Sequence, residues 1–309
     1  MKRLFKAVQE YLCMRNQLGF KMDTAKYVLK GFLAYMQKKK ASHITSEIAL
    51  EFAMQNRNSS PFQWAKRLGI IRRLAIHLHT IYPLTEVPAP DLLPYSYYRK
   101  SPYIYSNRDI VKLLDACKNL PTRSLLQAQT YYTLFGLIAV TGMRISEALA
   151  LDCESVDLTL GIITIRESKF RKSRKIPIHT STIERLVKYA KDRNRYYGKP
   201  KSSCFFVNGF GARLHASSVW DVFDKVCVVA GLRRKDVTGG PRIMDMRHTF
   251  AVTTLIRCYQ EDLNADVIIP TLSTYLGHEN PINTYWYLTA TPELLNLINT
   301  RLEKKFGGK

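Results

Sequence analysis

Residues 276–289 read LGHENPINTYWYLT. The stretch presents His278 and, within its last six residues, two tyrosines, Tyr285 and Tyr287. Taken alone it is weak, because the chain has 18 tyrosines and most tyrosines are packing residues. Its weight grows with what precedes it. MDMRHTFAVTTL, residues 244–255, places Arg247 near the start of a helix. TGMRISEAL, residues 141–149, puts Arg144 directly after a glycine-containing turn, with Glu147 one helical turn further on. An arginine so placed can present its fork to a phosphate while the carboxylate steadies it, although such a pair alone is more often an ordinary surface ion pair. Between these lies IITIRESKFRKSRKIPI, residues 162–178, two β-like segments around a tip carrying Lys169, Arg171, Lys172, Arg174 and Lys175. A basic hairpin tip is a common DNA-contacting device, and one lysine there can protonate a leaving oxygen; the plainer reading is that it only neutralises phosphates.

Charge sets the class of partner. The 309 residues carry 47 Lys and Arg against 25 Asp and Glu, a formal net charge of +22. Such an excess repels itself in a compact chain and is best matched by a polyanion, nucleic acid before an anionic membrane surface. The longest apolar run, Tyr131 to Val140, is about half of what a membrane-spanning helix needs, and the N-terminus lacks the apolar core of a signal peptide. A soluble cytoplasmic protein is expected. The six cysteines are dispersed without a CxxC pair, so they read as reduced, mostly buried thiols rather than disulfides or a metal site.

The N-terminal part reads as helices. Leu4, Phe5, Val8, Tyr11 and Leu12 recur at helical spacing, as do Val28, Phe32, Tyr35 and Met36 after a cap at Asp23. Thr45 or Ser46 opens a third helix, and a fourth starts at about Pro61. Lys38, Lys39, Lys40, Lys66, Arg67, Arg72 and Arg73 cluster here, either as a solvated face or as phosphate contacts; the global charge favours phosphate. Pro83, Pro88, Pro90, Pro94 and Pro102 then predict a semi-extended linker over residues 84–102, between a helical domain of residues 1–83 and a second domain of residues 103–309. The second domain reads as mainly helical around the β-like pair, with a break at Gly239 and Gly240.

Taken in order, Arg144, Lys169, Arg247, His278 and Tyr287 resemble the active-site series of the tyrosine recombinase (phage integrase) family, and the resemblance spans essentially the whole chain. Lys169 lies eight residues before Pro177, and Tyr287 nine after His278, both at the family spacing. The resemblance implies a mainly α fold with a small antiparallel sheet, a helical DNA-binding domain and a catalytic domain forming a C-shaped clamp. It implies double-stranded DNA as substrate, no cofactor and no metal, and a 3′-phosphotyrosyl intermediate. Tyr287 would attack, Arg144 and Arg247 would clamp the phosphate, His278 would hydrogen-bond a non-bridging oxygen and could help deprotonate Tyr287, and Lys169 would protonate the departing oxygen. Glu147 matches the acidic residue beside the first arginine, and His248 a histidine common beside the second. Dimers on one site, tetramers on two paired sites, accessory recombinases as further partners and a place on the bacterial nucleoid complete the expectation.

One position departs from the family. A histidine normally stands three residues before the second arginine, and here it is Met244, which neither takes a proton nor donates a hydrogen bond. His248 is a conceivable substitute one turn away, although its match to the family's neighbouring histidine favours a structural role. The competing reading is a weakened or catalytically silent DNA-binding protein on the same fold; an unrelated basic regulator would need five ordered matches to be accidental. The apolar residues Leu294, Leu297, Ile298 and Leu302, after Pro292, predict a last helix, read as docking on a neighbouring protomer rather than on its own domain.

Overall fold

The computed structural model describes residues 2–95, 101–121, 124–166, 173–198, 202–234, 239–289 and 291–306. The chain divides into two compact units, Met1–Lys100 and Ser101–Lys309.

The first unit is built from α1 (Lys2–Gln17), α2 (Asp23–Lys38), α3 (Ser46–Met54) and α4 (Pro61–His79). Their starts are written locally. The Thr45 hydroxyl accepts from the Ile48 N–H, and Ser60 does the same for Gln63 just before Pro61, whose fixed φ suits a first helical position. Asp23 is the first helical residue rather than the cap, which is Met22. Val8, Leu29, Phe32, Met36, Ile71 and Leu74 form the core. The stretch expected as a linker departs from expectation over its described first half. Thr85 is buried, Glu86 N donates to Ile44 O at 2.8 Å, and Ser46 N donates to Glu86 Oε2 at 2.8 Å. Arg72 Nε donates to Pro88 O at 2.9 Å. Turns at residues 83–84 and 90–91 break the segment, and two side chains of α4, Arg72 and His79, meet its carbonyls at Pro88 and Thr85.

The second unit holds α5 (Asn107–Lys118), α6 (Leu125–Thr141), the one-turn α7 (Ile145–Leu149), strands β1 (Val156–Asp157), β2 (Ile162–Ile165) and β3 (Arg174–Pro177), then α8 (Thr180–Tyr197), α9 (Ala216–Val229), α10 (Ile243–Gln260), α11 (Ala265–Leu276), α12 (Ile282–Tyr285), a 3-10 turn (Trp286–Thr289) and α13 (Pro292–Phe306). The three strands form one antiparallel sheet in chain order. Its register pairs Ile163 with Ile176 and Ile165 with Arg174, and period-two alternation sends Ile163, Ile165 and Ile176 into the core. Helix α6 is apolar almost all round, as a central helix must be, and packs against α5, α8 and α10. A second apolar cluster joins α10, α11 and α13 through Val252, Leu255, Ile269, Leu272, Leu276 and Leu294.

In the chain by itself helix α13 lies on its own unit: Leu294 is fully buried, Ile298 packs on the same cluster, and Arg301 Nη1 donates to Leu263 O at 2.8 Å. Burial of apolar area decides this, since α10 and α11 offer an apolar surface within reach.

Two helix ends fix the geometry that follows. Both α6 and α11 stop at a left-handed glycine, Gly142 at φ 62° and Gly277 at φ 67°. A Cβ at Gly142 would stand 2.6 Å from the Phe250 ring and 3.1 Å from Leu276 Cδ2. Strain and overlap thus coincide. Gly142→Ala is expected to lower stability by about 2 kcal/mol or more, from the left-handed backbone and the crowding together, measured by urea denaturation.

Candidate active site

The carbonyl groups at the ends of α6 and α11 have no partner within their own helices and carry the negative ends of the helix dipoles. Three arginines from three elements meet them. Arg144, at the N-cap of α7, donates from Nη2 to Gly277 O at 3.0 Å and from Nη1 to Leu276 O at 3.5 Å. Arg247, in the second turn of α10, donates from Nη2 to Leu276 O at 2.7 Å and from Nη1 to Gly142 O at 2.9 Å. Arg174, the first residue of β3, donates from Nε to Tyr275 O at 2.7 Å.

One carboxylate ties two of them together. Glu147 accepts from Arg174 through both oxygens, at 3.0 and 2.8 Å, and from Arg144 Nη1 at 2.8 Å and the Arg144 N–H at 2.9 Å. Burial by itself raises this carboxyl, but the Arg174 fork and charge, followed by Arg144, bring it down to about 2. Arg247 is 3% exposed. Burial pushes its guanidinium down to about 10, helped by neighbouring Arg144 and opposed by the Tyr287 phenol and Glu147, so it remains a cation at neutral pH. Three guanidiniums against one carboxylate leave the site rich in positive charge, shaped for an oxyanion.

The tyrosine is beside it. Tyr287 is buried in the 3-10 turn at 2% exposure, whereas Tyr285 is 49% exposed. The Tyr287 oxygen lies 3.1 Å from His248 Nδ1. His278 stacks along the Tyr287 ring, with centroids 6.1 Å apart, and its Nδ1 sits 2.7 Å from the hydroxyl of fully buried Thr284.

Of the residues singled out in the sequence, the structure brings Arg144, Glu147, Arg247, His248, His278 and Tyr287 together. Lys169, Arg171 and Lys172 lie outside the described residues. Arg174 is corrected: expected at the hairpin tip as a phosphate contact, it is a β3 residue with a side chain 10% exposed, turned inward onto Glu147. The strand register directs it there, opposite Ile165 on the core-facing side. Met244 stands at the start of α10, 39% exposed, and is not a core residue. In the first unit, Lys38, Lys40, Lys66 and Arg73 are exposed; Lys39 pairs with Glu51 at 2.7 Å and Arg72 holds Pro88. Sequence reading missed Thr284 and the carbonyls of residues 275–277. The glycine of LGH, read as a helix stop, would have pointed to those carbonyls.

Glu147→Gln keeps shape and removes the charge. Leaving Arg144 and Arg174 without it is expected to cost roughly 3–5 kcal/mol, as for other broken buried pairs. Because the carboxyl is held at about 2 against an ordinary 4.5, its stabilisation is present above the ordinary value and lost as pH falls between the two. Denaturation midpoints measured from pH 6 to pH 2 are therefore expected to fall more steeply for the parent chain than for Glu147→Gln.

The model of the phage integrase family matches residues 105–293. The candidate integrase/recombinase y4rB of Sinorhizobium fredii is 39% identical over 99% of this chain and 99% of its own. Tyrosine recombinase XerC of Syntrophus aciditrophicus is 27% identical over 83% of this chain and 78% of its own. Among solved structures, the Tn1549 transposon integrase in complex with transposon right end DNA superposes with a TM-score of 0.64 at 16% identity, over 96% of this chain and 98% of that one. XerH recombinase bound to difH in a post-cleavage complex gives 0.60 at 20% identity, over 85% and 71%. With the family model spanning most of the second unit and a relative matching end to end, the chain belongs to the phage integrase family, the tyrosine recombinases that break and rejoin DNA.

Proposed function

We propose that this site-specific recombinase cuts and rejoins double-stranded DNA through Tyr287, with Arg144 and Arg247 as the phosphate clamp. The observation that carries the reading is that Arg144 and Arg247 share the Leu276 carbonyl beside the buried Tyr287. The Tyr287 oxygen attacks phosphorus, an O–P bond to the enzyme forms, and the bond to the 5′ oxygen breaks, its proton coming from Lys169. The covalent linkage stores the energy of the broken bond, so rejoining by another 5′-hydroxyl needs no other source. Charge gathering on the non-bridging oxygens meets guanidiniums already held in place, which saves reorganisation at the moment of reaction. His278, steadied by Thr284, donates to one of those oxygens.

The first unit grips the duplex through phosphates. A cavity of about 430 Å³ between α4 and the proline-rich stretch is lined by Lys66, Arg72, Arg73 and Tyr95, with Asp91 also present. Lys38, Lys40 and Arg67, with Arg171 and Lys172 of the hairpin, add to this grip. Exchange between two duplexes takes four strand cuts and one tyrosine for each, hence a dimer on one site and a tetramer on two, with accessory recombinases able to share the assembly. The setting is bacterial nucleoid DNA, and the XerH and Tn1549 complexes, both with DNA, support that substrate.

On a nicked suicide duplex, Tyr287→Phe is expected to bind normally and form no covalent complex, whereas Tyr285→Phe still forms one; a phosphopeptide centred on Tyr285 would refute the assignment. Met244 is half-exposed, so Met244→His fits without loss of packing. It is expected to raise first-turnover cleavage by about tenfold or more, the worth of one hydrogen bond to a charged group, with unchanged binding. An unchanged or lower rate would mean that the site works without a group at that position.

A further inference from the structure

We propose that His248 is the base that takes the proton from Tyr287. The inference rests on the recombinase reading above and assigns within it a duty that Met244 cannot perform. Nδ1 of His248 is 3.1 Å from the phenol oxygen, within hydrogen-bond reach. The ring is held where it is: Trp286 meets it edge-on with centroids 5.4 Å apart, and the Tyr287 ring lies at the same distance. His278 is disposed differently. It stacks along the face of the Tyr287 ring, and its own Nδ1 is engaged with Thr284. His248 therefore approaches the reacting oxygen, and His278 flanks the ring.

The placement follows from the helix. Arg247 and His248 are consecutive on α10, about 100° apart around its axis. Arg247 turns towards the ends of α6 and α11, and His248 towards the 3-10 turn that carries Tyr287. One rigid element thus sets both the clamp on phosphorus and the acceptor for the nucleophile's proton. In the step, the phenol O–H donates to Nδ1 of a neutral imidazole. As oxygen bonds to phosphorus, the proton passes to Nδ1 and the 5′ oxygen leaves with the proton of Lys169. The imidazolium formed is cationic among guanidiniums, and the charge developing on the phosphate oxygens offsets it. Transfer is thereby favoured when DNA is seated. On rejoining, His248 returns the proton to Tyr287.

The test is single-turnover formation of the covalent adduct on a nicked suicide duplex, with DNA affinity measured alongside. His248→Ala and His248→Asn are both expected to slow adduct formation by roughly 10² or more while binding the duplex as the parent does. Asn is the discriminating variant, because its side-chain oxygen can accept the phenol's hydrogen bond but cannot hold its proton. Replacing Tyr287 with a trifluorotyrosine, whose phenol is far more acidic, is expected to recover much of the lost rate in His248→Ala and little in the parent. If His248→Asn reacts as fast as the parent, His248 only orients the tyrosine and the proposal is overturned. A fluorinated tyrosine that leaves the gap between parent and His248→Ala unchanged overturns it too. Should His248→Ala fail to bind the duplex, the rate of His248→Asn and its rescue by the same fluorinated tyrosine decide the matter. A parent chain that binds its site and forms no adduct at all sinks the recombinase reading itself, an outcome distinct from any of these.

Discussion

The last turn of α11 is where the catalytic unit is joined. Three successive carbonyls, those of Tyr275, Leu276 and Gly277, receive arginines from β3, α10 and α7, elements far apart in the chain. A helix end with this many acceptors would otherwise be an unsatisfied polar patch within the protein, and each guanidinium would be a buried charge without compensation. Each defect cures the other. Gly277 makes the junction possible: its left-handed backbone ends the helix, and a Cβ there would come within 2.8 Å of Arg174 Nη1. Glu147 then closes the arrangement by bridging Arg174 and Arg144, so the sheet and the first arginine's helix are held to one another through a carboxylate.

Much of this was legible in the sequence because it is local. Thr45 caps α3, Pro61 opens α4, and the two β-like segments around the basic turn are β2 and β3. The order of Arg144, Arg247, His278 and Tyr287 was legible through family spacing. What escaped was tertiary. Nothing in RKSRKIPI distinguishes Arg174 from the lysines and arginines around it; only the register against Ile165 turns it inward. The prolines of residues 84–95 gave no sign of the packing of this stretch against α4, since carbonyl acceptors have no sequence signature. Helix α13 shows the same ambiguity: an apolar stripe states that a face will be covered, not which surface covers it.

The surroundings of Tyr287 have a parallel logic. A phenol 2% exposed and in contact with two histidines is shielded from bulk water and from adventitious electrophiles. Its neighbour Tyr285, two residues away and half in solvent, has no such protection. Burial thus separates two chemically identical groups more sharply than their positions in the chain do, and it does so at the step from α12, which ends at Tyr285, to the 3-10 turn that holds Tyr287.

The surplus of guanidiniums has a consequence for the protein as a material. Without DNA, Arg144 and Arg247 face each other across a single carbonyl with one carboxylate nearby, a repulsion that the fold must hold. An oxyanion seated between them would relieve it. The folded state and the occupied state are then linked: whatever binds the native cleft and not the unfolded chain shifts the unfolding equilibrium by mass action. On the clamp reading proposed for Arg144 and Arg247, inorganic sulfate or phosphate in a storage buffer would act as a faint imitation of the substrate, protecting the fold while competing for the seat.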